Sequence, residues 1–184
     1  MTYRKKAKSS QVPLYNQITT MFHMVTTMIL ILLPCNKGAK IGDYRKGLYW
    51  RVLIKHLEKH EIRKRVIIGA IDCIPLRYRL GDCIVLEDEM WRVKGYESYP
   101  KYDPEIIETM ARCVYEGIIR VSSRFEKIYI LVNVRLYYEA AKRMMKKWRP
   151  RNVVIVEVRD TRPGKFTQKI ARFVQELAKE LQYK

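Results

Sequence analysis

Four continuous apolar runs constrain this chain more than any other feature: Ile29–Leu33, Val66–Ile71, Ile128–Val134 and Val153–Val158. None alternates apolar with polar residues, so a strand built from any of them is covered on both faces. Segments with helical spacing fall between and after them. Gly47 to His60 carries Leu48, Val52, Leu53 and Leu57 on one side. Asp103-Pro104 reads as an N-cap followed by proline in the first turn. Ile106, Ile107, Met110, Val114, Ile118 and Val121 then mark a single face. Tyr138 to Trp148 presents Ala141, Met144, Met145 and Trp148, and a last stripe joins Phe166, Ile170, Phe173, Val174, Leu177 and Leu181. The order is βαβ, an irregular middle, then αβαβα. Such alternation predicts an α/β fold, a three-layer sandwich whose mainly parallel central sheet of four to five strands carries helices on both faces. Asp72 to Asp103 departs from it, with one short strand expected over Cys83–Leu86 in an otherwise long loop. Long loops in compact domains are disproportionately functional.

A single domain is expected over residues 28–184, preceded by a basic, weakly ordered extension over residues 1–27. Arg4, Lys5, Lys6 and Lys8 lead into an uncharged stretch, Gln11 to Asn36, that superficially resembles a signal or anchor. Its strongly apolar part, Met28 to Leu33, is far shorter than the roughly twenty residues a span requires. No small-residue cleavage site follows it. The reading is a cytoplasmic protein without a membrane partner, with Met24 and Met28 as alternative starts. Lys and Arg number 37 against 19 acidic residues, a formal charge of +18. That excess favours polyanionic partners, chiefly nucleic acid. Charge richness with little Gln, Asn and Ser suggests a thermophilic archaeal setting. Cys35, Cys73, Cys83 and Cys113 form no CxxC pair and have no histidine at zinc spacing, so neither metal nor cofactor is expected and the thiols read as reduced.

Candidate chemistry gathers where strands end, because ligands of open α/β sheets sit beyond the carboxyl ends. The loop PCNKGAKIGDYRKG offers the thiol of Cys35, with Lys37, Lys40, Arg45 and Lys46 to lower its pKa or hold phosphate. Cys35 reads equally as an inert residue closing a buried strand. After the second run come Asp72 and then Arg77 and Arg79, guanidinium groups suited to bidentate phosphate contact. Trp91, Tyr96, Tyr99 and Tyr102 interleave with Arg92, Lys94 and Lys101, a pattern suited to base stacking or to packing the loop on its own domain. Lys142, Arg143, Lys146, Lys147, Arg149 and Arg151 form the densest cationic cluster, able to meet phosphates or to sit solvated at a helix end.

These landmarks resemble a family. ILLPCNKGAK followed by GLYWRVLIKHL looks like the opening of the α/β domain of archaeosine synthase, a domain also found beyond the barrel of archaeal tRNA-guanine transglycosylase relatives. IIGAIDCIPLRYRL is similar to its next strand and turn, and YPKYDP to the segment before its following helix. The family continues its loop with Lys-Pro-Tyr and a later Ser and His, where this chain reads Lys40-Ile41-Gly42. The resemblance implies tRNA modification: Cys35 attacks the nitrile of a deazaguanine base to give a thioimidate, Lys40 assists, and Asp72 handles protons. It also implies a separate transglycosylase or RNA-binding protein as partner. The alternative is a nucleic-acid-binding protein without catalysis. A nucleobase glycosylase shares the layout, but its water-activating motif is not readable here.

Overall fold

The computed structural model describes residues 28–34, 46–71, 83–92, 103–158 and 164–183, with the side chains of 90–92 left aside. The apolar runs become β1 (Ile29–Pro34), β2 (Val66–Ile71), β4 (Lys127–Val132) and β5 (Val153–Glu157), and a three-residue β3 (Ile84–Leu86) joins them. The helices are α1 (Leu48–Lys59), α2 (Pro104–Ser122), α3 (Arg135–Trp148) and α4 (Lys165–Gln182). One five-stranded sheet runs in the order β3-β2-β1-β4-β5. All neighbours pair parallel except β2 and β3, which are antiparallel. The expected mainly parallel α/β sheet is therefore present, with the short strand one residue tighter than Cys83–Leu86. The rest of that middle segment is not wholly irregular, since Glu87–Arg92 forms a 3-10 turn.

Every residue of β1 is buried, as a strand with no solvent face requires. The helices pack in pairs, α1 with α4 and α2 with α3. Trp50, Leu53 and Leu57 bury the inner stripe of α1, and Ile170, Phe173, Val174, Leu177 and Leu181 that of α4. Gly69 in β2 sits where a Cβ would lie 2.8 Å from Leu32 Cδ2 and 3.3 Å from the Val85 carbonyl oxygen, so a side chain there would force Leu32 to shift. Beyond β3 the edge of β2 is closed by side chains. Glu87 accepts from the Ile68 N–H at 3.0 Å and pairs with Arg63, whose guanidinium donates to the Val66 carbonyl at 2.7 Å.

The far end of α4 is fixed to the amino edge of the sheet. Arg65, just before β2, donates to the Leu181 carbonyl at 2.9 Å, and Glu180 accepts from Lys127 at 2.9 Å and from the Tyr129 hydroxyl at 3.0 Å. The Tyr129 hydroxyl first, and then Glu180, hold the Lys127 ammonium above its ordinary pKa, while burial raises that of Tyr129. With its last turn there, α4 begins at the carboxyl edge. So do the other three helices, because each ends where the next parallel strand starts.

Candidate nucleic-acid interface at the carboxyl edge

The chain leaves β1 for β2 on one side and later lays β4 on the other, so the strand order reverses between β1 and β4. Ligands of open sheets lodge at such a reversal. The pairing itself opens there. β1 and β4 share their last rung at Leu32 and Ile130, although each strand runs two residues further. Their outer pairings continue, Pro34 with Ile71 and Val132 with Glu157. The two central strands thus part at their carboxyl ends. Asn133 follows directly after β4, and its Oδ1 is buried with no hydrogen-bond partner among the described residues. A buried acceptor left unsatisfied costs about 1–3 kcal/mol unless a donor reaches it.

The helix starts at this edge divide into two kinds. α2 is conventional: Asp103 caps it by accepting from the Glu105 N–H at 2.7 Å, and Glu105 adds a negative charge to the first turn. The starts of α1, α3 and α4, at Gly47, Val134 and Gly164, have no side-chain cap and no acidic residue in the first turn. They carry cations instead. Lys46 precedes the Gly47 cap, Arg135 opens α3 and Lys165 opens α4, and all three are exposed. A cation beside the positive end of a helix dipole is unfavourable by roughly 0.3–1 kcal/mol. Three such placements on one edge leave a positive rim suited to an anion.

The second cationic region, on α3, is partly neutralised. Lys147 and Arg143 both face Glu108 of α2, the latter at 3.8 Å. The hydrogen bond from Lys147, aided by both positive charges, pulls the Glu108 carboxyl below its ordinary pKa. Lys142 lies over the Tyr138 ring at 5.1 Å from its centroid, and Lys147 also over Trp148 at 4.8 Å. Of the four, Lys146 alone makes no ion pair or ring contact among the described residues.

Several residues singled out from sequence lie outside the described residues: Cys35, Lys37, Lys40, Arg45, Asp72, Arg77 and Arg79. The backbone of Trp91 falls in the 3-10 turn, but its side chain is likewise outside. What is described is their anchorage, since Pro34 and Ile71, which immediately precede Cys35 and Asp72, form the last rung between β1 and β2. Lys46 stands on the carboxyl edge, whereas Lys142, Arg143, Lys146 and Lys147 belong to the α3 surface. Asn133, Arg135, Lys165 and Glu108 were not singled out. Asn133 was legible as the lone polar residue near the end of an apolar run. Arg135 was hidden because the periodic stripe of its helix begins only at Tyr138. The two described cysteines, Cys83 and Cys113, are buried thiols, and burial raises the pKa of Cys113. No helix among the described residues is long and apolar enough to cross a membrane.

Comparison with protein-family models, curated proteins and solved structures finds no match for this chain.

Proposed function

We propose that this chain is a tRNA-directed protein that holds RNA phosphates on the carboxyl edge of its sheet. The observation that carries the reading is the placement of Lys46, Arg135 and Lys165 at three helix starts whose N-cap residues, Gly47, Val134 and Gly164, supply no side-chain cap. Such a rim costs stability in the free protein and gains it when an anion arrives. A formal charge of +18 supplies the long-range attraction. The unpartnered Oδ1 of Asn133 adds an acceptor for a base N–H, chemistry that phosphate alone does not offer. Cytoplasmic tRNA, met together with a separate transglycosylase, is the substrate that the archaeosine-synthase resemblance supplies.

In the catalytic form of this reading, the Cys35 thiolate adds to the carbon of the base nitrile and the nitrogen takes a proton. An amine then displaces the thiolate from the thioimidate, leaving an amidine and the free thiol. Lys40 favours the thiolate and Asp72 carries the proton.

Two measurements test the reading. Labelled tRNA titrated with protein should bind with an affinity that falls steeply with salt. Nucleoside mass spectrometry after incubation of nitrile-bearing tRNA with an amine donor should reveal the amidine, and Cys35→Ala should abolish it. Binding without product leaves the non-catalytic reading standing. Absence of salt-dependent binding overturns both.

A further inference from the structure

The two outer strands of the sheet are finished differently. β3 is wholly buried, and Arg120 of α2 donates to its Ile84 carbonyl at 2.8 Å. Among the described residues β5 has no such cover. Its hydrogen bonds to β4 include Ile128 N–H to Asn152 O at one end and Val158 N–H to Val132 O at the other. In a parallel ladder this alternation commits the backbone of residues 152, 154, 156 and 158 to β4. The N–H and C=O groups of Val153, Ile155 and Glu157 therefore point outward. Among the described residues nothing accepts from or donates to them. The strand is uncharged from Val153 to Val156, and Val154 is 37% exposed. Beside it, between β5 and α4, runs an open groove of about 430 Å³ floored by Val154, Val156 and Phe173. An edge of this kind, with an apolar strand uncovered among the described residues and charged side chains of α4 beside it, is a template for another strand.

We infer that β5 pairs antiparallel with β5 of a second copy of this chain, about a two-fold axis through Val154. The charges at the ends of the strand select this register. Outward-facing residues must meet outward-facing residues, so the choices are few. An axis at Ile155 would set Glu157 against the apolar Val153 of the other copy, leaving its charge unmatched. An axis at Val154 sets Val153 against Ile155 and exposed Arg151 against exposed Glu157, and symmetry makes each pair twice. The α4 helices then run antiparallel on one face, which brings Arg172 of each copy towards the level of Glu176 of the other. Because the paired strands run in opposite directions, the two carboxyl edges face opposite ends of the ten-stranded sheet. Each copy keeps its own rim.

Sedimentation velocity on the full chain across a concentration series tests the pairing. The wild type should sediment at about twice the monomer mass. Ile155→Pro removes an outward N–H without removing a bond to β4, and should give a monomer that still melts cooperatively. Arg151→Glu and Glu157→Arg change only exposed side chains, so folding is not at stake. Each should raise the dimer dissociation constant several-fold, and the double exchange should return it to the wild-type value. A wild type that stays monomeric at its highest soluble concentration overturns the inference. So does a dimer indifferent to Ile155→Pro, or a double exchange no better than its parents.

Discussion

The carboxyl edge of the sheet and the outer face of α3 are both rich in lysine and arginine, but their surroundings differ. On α3, Glu108 faces Arg143 and Lys147, and Tyr138 lies under Lys142, so the charge is partly neutralised from within the protein. At the carboxyl edge, Lys46, Arg135 and Lys165 stand beside helix starts of their own sign. A dense run of basic residues in a sequence is thus a poor guide to where an anion is wanted. The better guide is a cation placed where the fold itself disfavours it.

The largest effect expected from this contrast is on RNA affinity. Lys46→Ala, Arg135→Ala and Lys165→Ala combined should lower the salt slope of tRNA binding by about two to three units and the affinity on the order of a hundredfold at physiological salt. Fluorescence anisotropy over a salt series reads both quantities. Next comes the capped helix, which serves as the internal reference. Asp103→Ala should cost about 0.5–2 kcal/mol in urea unfolding and leave tRNA affinity unchanged. Val134→Thr should move the two readouts in opposite directions. The extended backbone at Val134 suits an N-cap, so a hydroxyl there should add up to about 1 kcal/mol of stability. By occupying a first-turn N–H it should weaken tRNA binding about two- to fivefold.

The smallest effect belongs to α3. Glu108→Gln releases Arg143 and Lys147 and should tighten tRNA binding by about twofold or less, because screened charges away from the rim add little. The same pair has a pH signature. Glu108 has a depressed pKa in the folded chain, so its stabilising contribution is present above the ordinary carboxylate range. It disappears as pH falls through the folded value. Wild type and Glu108→Gln should therefore differ in thermal stability near neutral pH and converge in acid.

Much of the framework was legible because burial on both faces leaves an unmistakable trace. Ile29–Leu33 and Val66–Ile71 became strands almost residue for residue, and Asp103-Pro104 opened a helix with the expected cap. The end of Ile128–Val134 was misjudged. Val134 is apolar, but it caps α3 rather than continuing β4, and Asn133 just before it is the turning point. Apolar character reports burial, and a half-buried N-cap satisfies the same pattern as a strand. The antiparallel direction of β3 was out of reach, since three residues carry no directional signal.

The candidate site was legible in location and not in membership. Strand ends following β1 and β2 were singled out for Cys35 and Asp72, and the last rung, Pro34 with Ile71, sets those two strand ends side by side. The rim of Lys46, Arg135 and Lys165 could not be assembled, because its members lie on three separate helices whose common edge exists only once the sheet has formed. Neutralisation of Lys147 by Glu108, 39 residues away, depends in the same way on the packing of α2 against α3.

Ultraviolet cross-linking of bound tRNA, followed by mass spectrometry of the attached peptides, tests the central claim most directly. Cross-links should concentrate in the peptides that contain Lys46, Asn133 to Arg135, and Lys165. Cross-links confined to Lys142 through Arg151, with those three peptides unmodified, would contradict it.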